Sequence, residues 1–257
     1  MDVWLSAPPP IVPQVQQPKL AVLIAANPAT DIRWTVQFPN ILGQCPPGSV
    51  YLSNWLYGVD MSREMLTANA AQLADATHYM FLDTDIVPAP GAITKLIEAN
   101  LPVVSGAYYN SFLNGLAAWK DERALRVSAV PKLDDQGNVV KLPNGQAMAE
   151  PDKFIDVVTQ RPIGPLVECD KVGLGLCLIK KQVFDTLEEE GRPFFYYQVD
   201  SLQKKMISED FWFFKHRLST LGIKPWVHLG AQALHLKALL VNWDGVIISP
   251  DPNQAVP

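Results

Sequence analysis

Tyr79-Met80-Phe81-Leu82-Asp83-Thr84-Asp85-Ile86-Val87-Pro88 runs an unbroken apolar stretch straight into two acids. Such a stretch is what a strand buried on both faces requires. Two carboxylates two residues apart in extended chain leave on one side, and the middle of a buried strand cannot hold them unpaired. They belong at the strand's carboxyl end, where open α/β sheets bind ligands. There they would suit a hard divalent cation such as Mn²⁺ or Mg²⁺ bridging to a diphosphate; the plain alternative is a turn before Pro88. A second acidic group, Ser208-Glu209-Asp210, opens a helical pattern. One carboxylate there could serve as a general base towards a hydroxyl, although Ser followed by acids is also what an ordinary helix start looks like. His235, in an apolar stretch, is either a packed imidazole or a further metal contact. Gly173 and Gly175 permit close backbone approach and suit a pocket wall better than a phosphate loop. Trp119, Trp212, Trp226 and Trp243 offer stacking surfaces or core packing.

These residues need a frame. Lys19–Ala26 and Val50–Asn54 read as strands, residues 61–77 as a helix with Met61, Met65, Leu66, Leu73 and Ala76 on its inner stripe, and 78–83 as the strand before the acids. A helix follows the first strand, with Ile32, Val36 and Ile41 inward and a break at Pro39. Pro90–Ala99 is helical and 101–109 a strand. The alternation over 19–109 predicts an α/β fold with a mainly parallel central sheet. Residues 110–170 break it, with turn signals at Asp134–Asn138 and Pro143-Asn144-Gly145 marking a β-rich insertion. Strand-turn-strand over 167–180, a helix over 182–190 stopped by Gly191, a helix over 208–221 ended by Gly222, and a strand at 226–229 complete the domain. Residues 1–18 read as a Pro-rich N-terminal arm, 19–241 as one domain, and 242–257 as a Pro-rich surface tail.

Composition narrows the function. With 257 residues, 48% hydrophobic and 18% charged, the chain suits one globular domain. A net charge of −5 without a basic block gives no footprint for nucleic acid. Cys45, Cys169 and Cys177 form no metal-ligand spacing and no even disulfide set, so a reducing, cytoplasmic setting is expected. No stretch matches a membrane span or a signal peptide.

Taken in order, LAVLIAANP, FLDTDIVP, VVSGAYYN, VGLGLCLIKKQVFD, SEDFWFFKHRLSTLGIKPWV and LHL resemble the A-type (GT-A fold) nucleotide-sugar glycosyltransferases, most like the family 2 group. The resemblance covers about Lys19 to Lys237. It implies a Rossmann-like GT-A domain, a soluble enzyme and transfer from a UDP- or GDP-linked sugar. FLDTDIVP stands for the family's Asp-X-Asp motif. By that likeness Asp85 is the direct metal ligand, Asp83 binds ribose or a metal-bound water, and His235 completes the metal or diphosphate contacts. Thr84 belongs to the same nucleotide-contacting stretch, its side chain facing the sheet. Asp210, or Glu209 beside it, is the base. Ala25, Asn27, Asp31, Ser53 and Asn54 line the nucleoside pocket, and Arg63 approaches the nucleotide.

The expected function is metal-dependent hexosyl transfer to an acceptor hydroxyl with inversion, the acceptor being a glycan, lipid, protein or small molecule. The alternatives are a non-catalytic nucleotide- or sugar-binding protein of the same fold, or a sugar nucleotidyltransferase. The last is disfavoured by AANPATD after the first strand, where a Gly-rich basic loop would be expected. Trp4 and Leu5 in the arm could anchor a homo-oligomer.

Overall fold

A computed structural model describes residues 18–26, 30–110, 115–142, 147–200, 205–236, 240–241 and 247–248. Asn27 and Trp243, the Pro143-Asn144-Gly145 turn and the N-terminal arm before Pro18 lie outside them.

In chain order the first half contains β1 (Leu20–Ala25), α1 (Ile32–Gln44), β2 (Val50–Asn54), α2 (Val59–Ala71), β3 (His78–Asp83), β4 (Ile86–Pro88), α3 (Ala92–Ala99) and β5 (Val103–Ala107). Short strands follow: β6 (Tyr109–Asn110), β7 (Gly115–Leu116), β8 (Ala118–Lys120), β9 (Arg123–Ala124), β10 (Val127–Pro131), β11 (Ala149–Asp156) and β12 (Arg161–Ile163). The chain then returns through β13 (Leu166–Glu168), β14 (Lys171–Val172), β15 (Leu176–Lys180) and α4 (Lys181–Glu189). It ends with β16 (Gln198–Asp200), β17 (Lys205–Ile207), α5 (Glu209–Trp212), β18 (Trp226–His235), β19 (Leu240–Val241) and β20 (Ile247–Ile248).

The central sheet runs β2-β1-β3-β15-β5-β18. β1 pairs parallel with β2 and β3, and β5 parallel with β18. β15 is antiparallel to both β3 and β5, so the five other strands of this path point one way. Along this six-strand path the sheet is mainly parallel, as expected, with one reversed strand, while β4, β13 and β19 add to β18 in antiparallel pairing. The reversal has a topological reason: β15 is reached through the β-rich insertion rather than through a crossover helix, and so enters from the opposite end.

Alternation along β1 builds two cores. Ala21 and Leu23 pack on one face with Tyr79, Phe81, Leu66, Phe184 and Phe213. Leu20, Val22 and Ile24 pack on the other with Met80, Leu82, Trp34, Ile93 and Leu96. The result is helices on both faces of one sheet.

The helix faces depart from expectation. In α1, Trp34 and Ile41 are buried while Ile32 and Val36 are 71% and 65% exposed, and the helix continues through Pro39. α2 ends at Ala71 instead of residue 77, and Gly58 stands at its N-cap. Its buried face is Ser62, Arg63, Leu66, Thr67 and Ala70, whereas Met61 and Met65 are exposed. The late strand is longer than 226–229, running to His235 with strict alternation of burial. Beyond residue 241, Ile247–Ile248 pairs with β19 and extends the sheet edge. No helix among the described residues is long and apolar enough to cross a membrane.

Candidate functional site

Register places the site. Ala25 at the end of β1 is flanked by Asn54 of β2 and Asp83 of β3, so three expected nucleoside contacts form one row at the carboxyl ends of parallel strands. Ser53, one residue earlier, is exposed. Asp31 caps α1, accepting from the Arg33 amide at 2.8 Å, and pairs with the Arg33 guanidinium. That hydrogen bond, against a smaller burial cost, holds its carboxyl below the usual range.

The chain turns immediately after Asp83, and the turn separates the two acids. The two-residue period that would put both side chains on one side holds only while the chain stays extended, and the strand ends at Asp83. Asp83 faces Arg63, whose Nη2 donates to both carboxylate oxygens at 2.8 and 3.0 Å. Thr84 is buried, as expected for a side chain facing the sheet. Asp85 faces β18: its carbonyl accepts from the Leu236 amide at 2.6 Å, and its Oδ2 lies 3.2 Å from His235 Nε2. Backbone pairing of Ile86 with His235 fixes that encounter, and Trp34 Nε1 clamps the Ile86 carbonyl at 2.9 Å from the other side.

His235 is itself oriented. Its Nδ1 lies 2.9 Å from the Tyr109 carbonyl, which can only accept, so Nδ1 carries the proton. In a neutral imidazole Nε2 then presents a bare lone pair to the Asp85 carboxylate. A lone pair and an anion at this distance require a positive charge between them, either a second proton or a cation. A backbone carbonyl behind one ring nitrogen is the usual support of a metal-binding histidine. Two ligands side by side on an octahedral ion with bonds of about 2.1 Å stand about 3 Å apart, close to the observed separation. The pair fits a divalent cation. Among the described residues no group of three or more His, Cys, Asp or Glu side chains is arranged to hold a metal, so Asp83 does not complete a three-residue cluster with them.

Arg63 is the hub that the sequence reading placed only as a nucleotide contact. It is buried on α2, and its Nη1 donates to Glu209 Oε1 while Nη2 holds Asp83. Burial pulls against its charge, but Asp83 and then Glu209 more than offset that and keep the guanidinium protonated. Glu209 is also buried. Burial pushes its carboxyl above the ordinary range, with Arg63 and a hydrogen bond from Tyr197 opposing. Asp210 is half-buried, and the Ser208 hydroxyl and the Phe211 amide both donate to its Oδ1.

α5 is positioned by an aromatic cluster. Phe213 stacks on Phe195 at 5.0 Å and on Phe184 at 5.6 Å. The helix widens into a π-turn over Phe213–Arg217, then tightens into a 3₁₀ turn over Leu218–Leu221 that stops at Gly222 in the left-handed region. The widening lets the consecutive Phe213 and Phe214 both bury. A stripe counted at 3.6 residues predicts Phe211 and Phe214 inward and misses Phe213.

The two glycines provide close approach. A side chain at Gly173 would stand 2.0 Å from the Tyr108 hydroxyl, and one at Gly175 would stand 3.0 Å from Asp83 Oδ2. The Gly175 amide donates to that hydroxyl at 3.0 Å, and its carbonyl accepts from the Asp83 amide at 2.9 Å. Buried Ser105 Oγ lies 2.9 Å from the Gly173 carbonyl. The glycine loop is thereby pressed against the Asp83 end of β3. Among the described tryptophans, Trp34, absent from the candidate set, braces this site through the Ile86 carbonyl.

No protein-family model matches the sequence, and no curated protein is detectably similar to it. Among solved structures, inositol-1-phosphate CTP transferase from T. maritima aligns at 15% identity and a TM-score of 0.34, over 84% of this chain and 68% of that one. HddC from Yersinia pseudotuberculosis, complexed with GMP-PN, aligns at 9% identity and a TM-score of 0.29, over 79% and 99%. Neither likeness is strong enough to carry an argument. A197 from STIV aligns at 17% identity and a TM-score of 0.54 over 93% of this chain and 97% of that one, and what the chain shares with it is the fold.

Proposed function

We propose that the protein is a metal-dependent transferase that takes a sugar from a nucleoside diphosphate sugar and passes it to an acceptor hydroxyl with inversion. The observation that supports this most is the Asp85–His235 pair: an imidazole with its proton committed to a carbonyl, turned on a carboxylate at the carboxyl end of the central strands. A Mn²⁺ or Mg²⁺ ion bound there would supply charge neutralisation for the departing diphosphate. Asp83, fixed by Arg63, keeps a partly exposed carboxylate beside Ala25 and Asn54, suited to accept from ribose hydroxyls. Asp210 receives the acceptor's proton. Its two hydrogen bonds fall on Oδ1, leaving Oδ2 for the incoming hydroxyl. Glu209 is committed to Arg63 and Tyr197 and holds the helix in place, so of the two adjacent acids Asp210 is the base.

Nucleotidyl transfer is the second reading. It shares with the first reading a nucleotide pocket at the carboxyl ends of β1, β2 and β3. Against it stands Arg33, the cation nearest the first loop in sequence, already paired with Asp31. Thermal-shift screening against nucleoside diphosphates, with and without Mn²⁺, followed by product analysis, separates the readings. Metal-dependent stabilisation by one base, and release of the nucleoside diphosphate from its sugar conjugate, is the expected result. Pyrophosphate release from a nucleoside triphosphate and a sugar phosphate would establish the second reading. Nucleotide binding with no turnover of any donor would leave a binding protein.

A further inference from the structure

A cavity of about 630 Å³ opens between the β8–β9 turn, β14 and the helical turns that follow Asp210, within the size range of small-molecule sites. Its chemistry is specific. Lys171 of β14 and Trp119 of β8 are cross-strand partners, and the Lys171 ammonium sits 4.1 Å from the Trp119 ring centroid and 4.5 Å from that of Phe211. Lys215 lies 5.0 Å from the same Phe211 ring. Two ammonium groups thus approach one aromatic ring, and among the described residues neither has a carboxylate within ion-pairing distance. A third, Lys224, is neutralised by Asp170 at 2.9 Å, and Glu122 lines the rim. Burial, together with the like charge of Lys215, pushes the Lys171 ammonium below its ordinary range, against the pull of Asp210. Like charges brought together, Lys171 half-buried and Lys215 exposed, are a cost that an anion would relieve. Phe211 follows Asp210 directly, so the cavity adjoins the group assigned as base.

We propose that this cavity is the acceptor subsite and that it takes an acidic saccharide, a sugar bearing a phosphate or a carboxylate. Lys171 and Lys215 grip the anion, and the edges of Trp119 and Phe211 pack against the ring. The inference rests on the transferase reading for the word acceptor, but not for the binding chemistry, and its test needs no donor.

Isothermal titration with glucose 6-phosphate, glucuronate, glucose and inorganic phosphate measures it. Both acidic sugars should bind at least tenfold more tightly than glucose and more tightly than phosphate alone. The Lys171→Gln/Lys215→Gln variant should lose that preference, and Lys171→Arg/Lys215→Arg should keep it. Equal binding of glucose and glucose 6-phosphate, or full affinity in the double glutamine variant, overturns the proposal. Phosphate binding as tightly as glucose 6-phosphate overturns the saccharide part. The Mn²⁺-dependent shift with nucleoside diphosphates, measured on the same samples, should be unchanged by the lysine variants. If acidic sugars bind and no nucleotide does, the transferase reading falls and the site stands; the reverse outcome removes the site alone.

Discussion

Replacing Arg63 with Met leaves two carboxylates facing a space built for a cation. The side chains of Arg63 and Glu209 are 4% and 7% exposed and that of Asp83 is 30% exposed, so the Glu209 leg is the desolvated one and the Asp83 leg is partly screened. Unit charges about 4 Å apart at an effective dielectric of 20 attract by about 4 kcal/mol, and breaking a buried pair costs about 3–5 kcal/mol because the orphaned charge stays behind. At roughly 2–4 °C per kcal/mol for a chain of this size, Arg63→Met should melt roughly 6–20 °C below wild type. The deficit carries a pH signature. Glu209 is already pushed above the ordinary carboxyl range by burial, and without Arg63 it rises further. A carboxyl whose folded-state pKa lies above its unfolded value binds more protons when folded, so stability falls as pH rises through that window. The Arg63→Met deficit should therefore be larger at pH 8 than at pH 4.5. Adding Glu209→Gln should recover roughly 2 kcal/mol at pH 8 by removing the orphaned charge, with urea melts of the four proteins forming a double-mutant cycle. An Arg63→Met protein within about 1 kcal/mol of wild type at pH 8 would refute the account of Arg63 as a buried counter-charge.

Asp85→Ala should abolish the Mn²⁺-dependent thermal shift with nucleoside diphosphates while moving the metal-free melting temperature little, because its side chain is 37% exposed; an unchanged shift sinks the metal assignment. His235→Ala should lose the same shift and also cost roughly 1–3 kcal/mol, since the part-buried hydrogen bond from His235 to the Tyr109 carbonyl is lost, as urea denaturation would show. Asp210→Asn should lower kcat roughly 10²–10⁴-fold with donor KM kept; a greater kcat loss in Glu209→Gln would exchange the roles of the two acids. Gly173→Ala should cost about 1–3 kcal/mol in urea melts, the added methyl standing against the Tyr108 hydroxyl and the Ala117 side chain. A loss under about 0.5 kcal/mol would show that Tyr108 can yield.

Most elements were legible because their signals are local. The apolar runs of β1 and β3, the stops at Gly191 and Gly222, and the acids opening α5 need only neighbours in sequence, and the structure has each of them in place. The face of α2 was not legible, because counting apolar side chains selects Met61 and Met65 when the inward face carries Ser62, Arg63 and Thr67. A helix that delivers a charge to a buried site breaks the rule that makes helices readable. The same limit hid the Arg63–Glu209 pair, whose partners are 146 residues apart, and the Asp85–His235 pair, 150 apart. A family resemblance could place those residues in one site, but it could not say which atoms meet. The reversed direction of β15 was hidden for a related reason: strand direction depends on how the intervening chain returns, and residues 110–170 carry no crossover helix to signal it.

The two acidic pairs look alike in spacing, and only the family resemblance assigned Asp85 to the metal, Asp83 to the ribose side and Asp210 or Glu209 to the base. Arg63 divides both pairs physically. It binds one member of each pair, Asp83 from the β3 end and Glu209 from the α5 start, and so couples the two halves of the site through one buried guanidinium. The members not bound by it, Asp85 beside His235 and Asp210 beside Ser208, stand at the metal and base positions of the proposed reaction. One guanidinium offsets only one of these four carboxylates, so the site keeps an excess of negative charge, with Glu209 buried and Asp83 and Asp85 partly exposed. A divalent cation at Asp85 would remove that excess. On the proposed reading, that excess is an electrostatic reason for a metal, one that the spacing of Asp83 and Asp85 alone did not give.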